Sequence, residues 1–411
     1  MRLLVFALIV CLGGSAWAQD ENAESRSRNV AKEKATKLGG DYHASVFGGS
    51  YVQGERFGVL FDLGAKAGAD FGVHDVYAKF DYTFDPFSTK SFNFPDENQT
   101  TAGAAVTDRL AQSMHEVQGE VGWQARWSKE NRSSASLTGG VRLPEFDTDR
   151  RYAADLEFKH RWGRRKGWVV EGDIDVFLRD YPNYFIADRR FDNRGFSVAP
   201  AVIYVFDGGH AIQGTYDYEF TQYVDARYDT IAVNGVVSRA TESKSYAVHA
   251  FDVEGTYRFS KRLKARAQYQ FELNDSINYD REMAGIDANG VREDKFIRDY
   301  YDYTRHRLKL RGGYDNDTFA IDGSLEYWVR DFDTYEARDA QNVWTGFLRH
   351  DNSVEIGVEA SYLVLEPQEN ELRVVGFMSH LHRDSNMKRE ISFATNYDVT
   401  RVFVGLELRS K

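Results

Sequence analysis

The sequence predicts an all-β chain: a transmembrane, antiparallel, up-and-down β-barrel of about 16 strands. Three observations predict it. Apolar and charged residues alternate with period two over many long segments. Short turns and long loops alternate between most of those segments. After Leu12 the chain has no apolar run long enough for a membrane-crossing helix.

The N-terminus is separate from this pattern. Residues 1–18 read MRLLVFALIVCLGGSAWA: one charge at Arg2, an apolar run, then Ala16-Trp17-Ala18. This is the pattern of a secretory signal peptide, so export is expected. The lone cysteine, Cys11, lies inside it and follows Val10 rather than a small residue, so no lipoprotein site is expected. The mature chain then carries no thiol, which suits passage through an oxidising compartment. Residues 19–40 are polar and without aromatics, and are read as a periplasmic tail, with a small barrel plug as the other reading. The barrel is expected over 41–411.

The composition agrees. Gly 34, Tyr 24, Phe 28 and only Pro 6 suit extended strands and tight turns. Mean hydropathy is −0.54, and the apolar residues are spread thinly rather than gathered in core strands. A wall with lipid on one side and water on the other requires that distribution.

Sixteen segments alternate: 41–51, 55–67, 74–85, 115–128, 133–144, 150–162, 167–179, 195–206, 210–222, 246–259, 262–274, 301–314, 318–331, 353–365, 371–382 and 390–409. In one of them Leu263, Ala265, Ala267, Tyr269, Phe271 and Leu273 share a face, and Lys264, Arg266, Gln268, Gln270 and Glu272 share the other. Short connections follow the even segments, for example Ser128-Lys129-Glu130-Asn131, Asp207-Gly208-Gly209 and Ser260-Lys261. Long polar loops are expected after odd ones, at 86–114, 180–194, 223–245, 275–300 and 332–352. The first hairpin, with its short turn near Gln53-Gly54, breaks this rhythm. The first of the long loops, 86–114, is long enough to fold inward as a constriction. Trp123, Trp127, Trp162, Trp168 and Tyr204 fall near segment ends, where an aromatic belt would sit.

On these features the chain resembles bacterial porin-type outer-membrane barrels. It is also similar to the barrels of exopolysaccharide-export systems. The resemblance covers 40–409 and rests on architecture. The final residue, Lys411, departs from the aromatic end common among such barrels. The resemblance implies an outer-membrane location, the lipid bilayer and the barrel-assembly machinery as partners, and a homo-oligomer as one form. It implies a channel for small polar or charged solutes, or alternatively a component of polysaccharide export or secretion.

If the apolar sets face lipid, the charged sets line the pore. The candidate pore-lining residues are Arg262, Lys264, Arg266, Arg305, Arg307, Lys309 and Arg311 on a basic stretch. Glu171, Asp173, Asp175, Asp217, Glu219, Asp252 and Glu254, with Asp322, Glu326, Glu355 and Glu359, form acidic stretches. Walls of opposite sign set a field across a pore. A net charge of −11 argues against nucleic acid as a partner. No catalytic site, metal or cofactor is expected, and the chain is read as not an enzyme. The candidate histidines are His115, His160, His210, His249, His306, His350, His380 and His382, with only His380 and His382 clustered near Asp384 and Ser385. No G-x-S-x-G motif is present. Asp287-Ala288-Asn289-Gly290 falls short of a calcium loop.

Overall fold

A computed structural model describes residues 37–410 apart from 52–55, 89–111, 145–149, 165, 183–184, 187–188, 191, 232–236, 278, 287–291, 300–301, 317, 340–342, 367–369 and 388–395. The expected signal peptide and nearly all of the expected tail lie outside the described residues, as do the bulk of loop 86–114 and Asp287–Gly290.

Twenty strands follow one another along the chain. They are β1 (Lys37–Tyr51), β2 (Arg56–Asp70), β3 (His74–Ser88), β4 (Gln112–Arg126), β5 (Asn131–Pro144), β6 (Arg151–Gly163), β7 (Gly167–Asp180), β8 (Phe185–Ile186), β9 (Arg189–Arg190) and β10 (Asn193–Val205). They continue with β11 (Ala211–Ile231), β12 (Val237–Arg258), β13 (Leu263–Ile277), β14 (Tyr279–Ile286), β15 (Arg292–Arg298), β16 (Tyr303–Asp315), β17 (Phe319–Arg338), β18 (Trp344–Leu365), β19 (Asn370–Ser385) and β20 (Tyr397–Ser410). Two hairpins, β8–β9 and β14–β15, stand outside the main sheet, and the other sixteen strands form one closed barrel. Closure comes from the antiparallel pairing of β1 with β20, from His43 opposite Arg409 to Tyr51 opposite Arg401. It removes the free strand edges that an open sheet would present.

The sixteen barrel strands correspond one to one with the sixteen alternating segments. The boundaries differ in an instructive way. β1 begins at Lys37, inside the expected tail. The loops expected at 223–245 and 332–352 are largely strand: β11 and β12 pair up to Ile231 and Val237, and β17 and β18 up to Arg338 and Trp344. The loop expected at 275–300 holds the β14–β15 hairpin. These stretches lack period-two alternation because no lipid face constrains them, yet antiparallel pairing satisfies their backbone all the same.

The short turns lie at one rim, and both β1 and β20 have their chain-terminal ends there. Three of them use the same device. Ser128, Ser260 and Asn316 each accept a hydrogen bond from the backbone N–H three residues on, at 3.1, 3.0 and 2.7 Å. The side chain thus stands in for a turn carbonyl. The β2–β3 turn differs: Gly72 has φ 87°, and its N–H donates to Asp70 Oδ1 at 2.7 Å. A side chain at that φ would be strained.

The outer wall is apolar. Val121, Leu156, Val170, Phe251, Val253, Tyr269, Leu325, Val404 and Leu406 are all exposed large hydrophobics on the barrel strands. A contiguous exposed apolar band around a closed barrel is a lipid-facing surface. At the turn rim Trp123, Trp127, Trp168, Tyr204 and Phe206 cluster, with Trp168 and Tyr204 ring centroids 5.0 Å apart and Trp123 and Trp127 6.2 Å apart. This is the expected aromatic belt. The chain is therefore an outer-membrane β-barrel.

Candidate functional site

Strand register shows which residues share the inner wall. On β13 the exposed Leu263, Tyr269 and Leu273 point outward, so Lys264, Arg266 and Glu272 point inward. Pairing carries that face to β16 through Arg266 opposite Arg311, Gln268 opposite Lys309, Gln270 opposite Arg307 and Glu272 opposite Arg305. It continues through Lys309 opposite Glu326 and Gly313 opposite Asp322, then Glu326 opposite Glu355 and Asp322 opposite Glu359. In the other direction it runs to Glu254 and Asp252 on β12 and to Asp217 and Glu219 on β11. It then reaches Asp175, Asp173 and Glu171 on β7. Every candidate residue named from the sequence except Arg262 lies on this one inner face. Arg262 is corrected: it sits in the β12–β13 turn, where its carbonyl accepts from the Asp315 N–H at 2.9 Å. The strand begins one residue later than the alternation suggests, because Ser260 closes the turn on Leu263.

The basic stretch is braced by carboxylates on its neighbours. Arg307 Nη2 and Lys309 Nζ reach Glu326 at 2.5 and 3.3 Å, so one carboxylate serves two cations. Arg305 pairs with Glu272, which also accepts from Tyr303 Oη at 2.6 Å. Arg266 meets Glu254 at 3.2 Å. The wall at β6 and β7 is different. Glu157 and Asp175 sit directly across from each other on β6 and β7. Like charges at facing positions repel. Lys159 lies beside them, pairing with Glu157 and reaching Asp173 at 3.2 Å, and Arg161 meets Glu171 at 2.6 Å. The carboxylates outnumber these cations along β6, β7 and β11.

Toward the loop rim the inner wall becomes dry. Asp351 is fully buried and is met by Arg330 at 2.6 Å, Arg349 at 2.9 Å and Arg383 at 3.5 Å. Aromatic faces cover the guanidinium groups: Arg330 lies 4.7 Å from the Phe332 ring centroid, Arg349 4.7 Å from the same ring, and Arg383 5.3 Å from that of Trp328. Above it Phe332, Tyr335 and Met387 form a buried cluster, with Tyr303 and Trp344 packed against it. Arg338, also fully buried, lies 3.9 Å over Trp344. Sequence patterning does not reveal this assembly, because Phe332, Tyr335, Arg338, Trp344, Arg349 and Asp351 come from the stretch 332–352, which reads as polar loop.

A second feature hidden from the sequence is an apolar patch on the inner face of β19 and β20. Val375, Val399 and Phe403 are buried there, with Leu60, Phe377 and Leu381 packed against them. The Phe377 and Phe403 rings stack at 4.9 Å. Beside it Arg401 on β20 reaches Asp85 on β3 at 2.8 Å across two intervening strands. The intervening wall is low at that level, where Gly49 of β1 pairs with Gly58 of β2. Its one sequence signal is a pair of apolar residues, Phe377 and Phe403, on the face otherwise reserved for charge.

The candidate histidines on barrel strands, His115, His160, His249, His306, His350, His380 and His382, occupy the opposite, outward parity. His210 is in the β10–β11 turn, stacked on Tyr257 at 4.3 Å. His380 and His382 do not meet a shared substrate site with Asp384 and Ser385. Their Nδ1 atoms bond Thr400 Oγ1 at 2.8 Å and Asp398 Oδ1 at 2.6 Å. Among the described residues no group of three or more metal-ligand side chains comes together.

No family profile matches the chain, and no curated protein matches it. Solved structures do. The chain is similar to the siderophore receptor PirA from Acinetobacter baumannii, with TM-score 0.41, 7% identity, and 92% of this chain and 81% of that one covered. It is similar to OmpT of Vibrio cholerae in its trimer form, with TM-score 0.46, 10% identity, and 91% and 99% covered. It is also similar to a bacterial polysaccharide outer membrane secretin, with TM-score 0.43, 8% identity, and 90% and 98% covered. The expectation that the chain is not an enzyme is corrected at this point. The described strands establish a fold, and a fold by itself assigns no function, so it gives no ground for that exclusion.

Proposed function

We propose that the barrel conducts small polar or charged solutes across the outer membrane through a lumen lined by the inward residues named above. One observation carries this reading: the inner face of the closed barrel is charged around much of its circumference, basic on β13 and β16, acidic on β7 and β11, and mixed on β6. Facing carboxylates such as Glu157 and Asp175 are tolerable only where water reaches them. A sixteen-strand wall is wide enough for an aqueous channel. Basic and acidic stretches side by side around one wall order water and favour dipolar solutes over apolar ones.

The test is planar-bilayer recording on the refolded full chain. Discrete open-channel steps that persist at low voltage are expected. A silent bilayer, with folded protein shown by heat-modifiable gel mobility, overturns the reading.

A second reading, the outer-membrane step of polysaccharide export, is favoured by aromatic residues on the inner face. Trp328 lies inward opposite Arg307, and Tyr77 lies inward over Gly122 with its hydroxyl on Glu120 at 2.6 Å. Rings with a polar handle suit sugar faces. Block of the open channel by charged oligosaccharides at concentrations where the monosaccharides do not block would favour this second reading.

A further inference from the structure

We propose that His115, His249 and His306, each held by a tyrosine on the neighbouring strand, form three copies of one site on the outer wall that binds the phosphate of an outer-leaflet lipid. The proposal is independent of what passes through the lumen.

The three sites share one geometry. Tyr82 Oη lies 2.9 Å from His115 Nδ1, Tyr216 Oη 2.8 Å from His249 Nδ1, and Tyr269 Oη 2.8 Å from His306 Nδ1. In each the histidine is on a strand descending from the loop rim. An aromatic residue sits directly opposite it on the ascending strand: Phe84 for His115, Tyr218 for His249, Phe271 for His306. The bonded tyrosine is two residues earlier on that same ascending strand. The rings pack together, with centroids of Phe84 and His115 at 4.6 Å, Tyr218 and His249 at 5.0 Å, and Phe271 and His306 at 5.2 Å. A Tyr-x-aromatic pair opposite a histidine thus recurs on β3–β4, β11–β12 and β13–β16, with no relation imposed by local sequence.

Each histidine also marks a boundary. Following the outward residues down the descending strand, β4 passes from Ser113 through His115 to Val117 and Val121. β12 passes from Ser245 and Ala247 through His249 to Phe251 and Val253. β16 passes from Thr304 through His306 to Leu308 and Leu310. Below the imidazole the wall is apolar and exposed, at Val121, Phe251, Val253, Leu308 and Leu310. Above it the same strands carry small residues, Ser113, Ser245, Ala247 and Thr304. That is the level where acyl chains end and headgroups begin.

The chemistry then selects the ligand. With the phenol donating to Nδ1, the imidazole carries its hydrogen on Nε2, on the side away from the tyrosine. That donor stands at headgroup depth, where phosphate oxygens are the abundant acceptors. Anionic leaflets also concentrate protons and cations at this plane, which favours an imidazole over a carboxylate there. The other outward histidines of the loop rim are built differently. His350 and His382 have Nδ1 on the carboxylates of Asp331 and Asp398, both at 2.6 Å, which would repel a phosphate. The two classes make an internal comparison.

The experiment uses the refolded full chain, with ¹⁵N-labelled histidine, in nanodiscs of phosphatidylglycerol and phosphatidylcholine prepared without phosphate buffer. Nitrogen–phosphorus dipolar dephasing is read at each imidazole. Dephasing is expected at Nε2 of His115, His249 and His306 and absent at His350 and His382. In nanodiscs of digalactosyl diacylglycerol with added inorganic phosphate it is expected to vanish at His115, His249 and His306. Tyr82→Phe, Tyr216→Phe and Tyr269→Phe should each weaken the signal at their own histidine alone. Should a variant fail to fold, the lipid comparison on the unaltered chain still decides. No dephasing at the three sites, equal dephasing at His350 and His382, or dephasing only with inorganic phosphate overturns the proposal. So does chemical cross-linking that finds a second copy of the chain seated on these faces.

Discussion

Two parts of the inner wall use the same residue types to opposite ends. Around Asp351, Arg330, Arg349 and Arg383 surround one carboxylate, and rings of Phe332 and Trp328 cover them. Along β6 and β7, Glu157 faces Asp175, with Lys159 paired to Glu157. The first arrangement is closed to water and holds three strands together. The second is unfavourable unless it is wet. The difference teaches that inward charge alone does not mark a conducting surface. Pairing and ring cover separate a structural clamp from a solvated wall.

The sharpest way to break that comparison is Asp351→Ala. It leaves one buried and two half-buried guanidinium groups around an empty position, and the expected cost is about 3–5 kcal/mol. The measurement is urea-induced unfolding in lipid vesicles followed by tryptophan fluorescence, and a change below about 1 kcal/mol would show the cluster is hydrated after all. The next effect in size concerns selectivity. Glu326→Gln strips Arg307 and Lys309 of their shared partner, so anion permeability relative to cation should rise, by up to about tenfold at low salt and less at high salt. Reversal potentials across a salt gradient read this directly, and an unchanged ratio would remove β16 from the conduction path.

Glu157→Gln sharpens the other side. It relieves repulsion with Asp175, so stability should rise by about 0.2–1 kcal/mol while cation preference falls. A loss of stability instead would mean that Lys159 matters more than the facing carboxylate. The smallest effect is outside the membrane, at Asp302 above β16. Burial, partly offset by hydrogen bonds from the Ser276 hydroxyl and N–H, pushes its carboxyl up to about 6. The folded state therefore holds a proton that the unfolded chain releases at lower pH. The stability this provides is full below the ordinary carboxyl range and is lost as pH rises through about 6. Hydrogen exchange at the Ser276 amide should speed up over that window in the native chain. In Asp302→Asn the rate, corrected for intrinsic exchange, should be flat.

Much of the architecture is legible in the chain because a lipid-facing strand has no freedom in its pattern. Leu263 to Leu273 must alternate, since a one-residue slip would turn Lys264 and Arg266 to the acyl chains. The same rule, applied to spacing alone, puts Arg305, Arg307, Lys309 and Arg311 on the inner wall. Arg262 escapes it because turn chemistry, set by Ser260, overrides parity at a strand end. The Asp351 clamp is illegible for a related reason: Phe332, Tyr335 and Arg338 lie beyond the membrane, where neither face is lipid and no period is imposed.

What the sequence alone determined was the strand count, the orientation of the turns and the sign of charge along each strand, because these follow from local spacing. Which charges meet was decided by the tertiary structure. Arg401 and Asp85 lie at opposite ends of the chain and touch only because β1 closes on β20 and two glycines clear the wall between them. The three tyrosine–histidine pairs likewise join residues 33 or 37 positions apart. Closure and register are cooperative properties of the whole sheet, and no local pattern carries them.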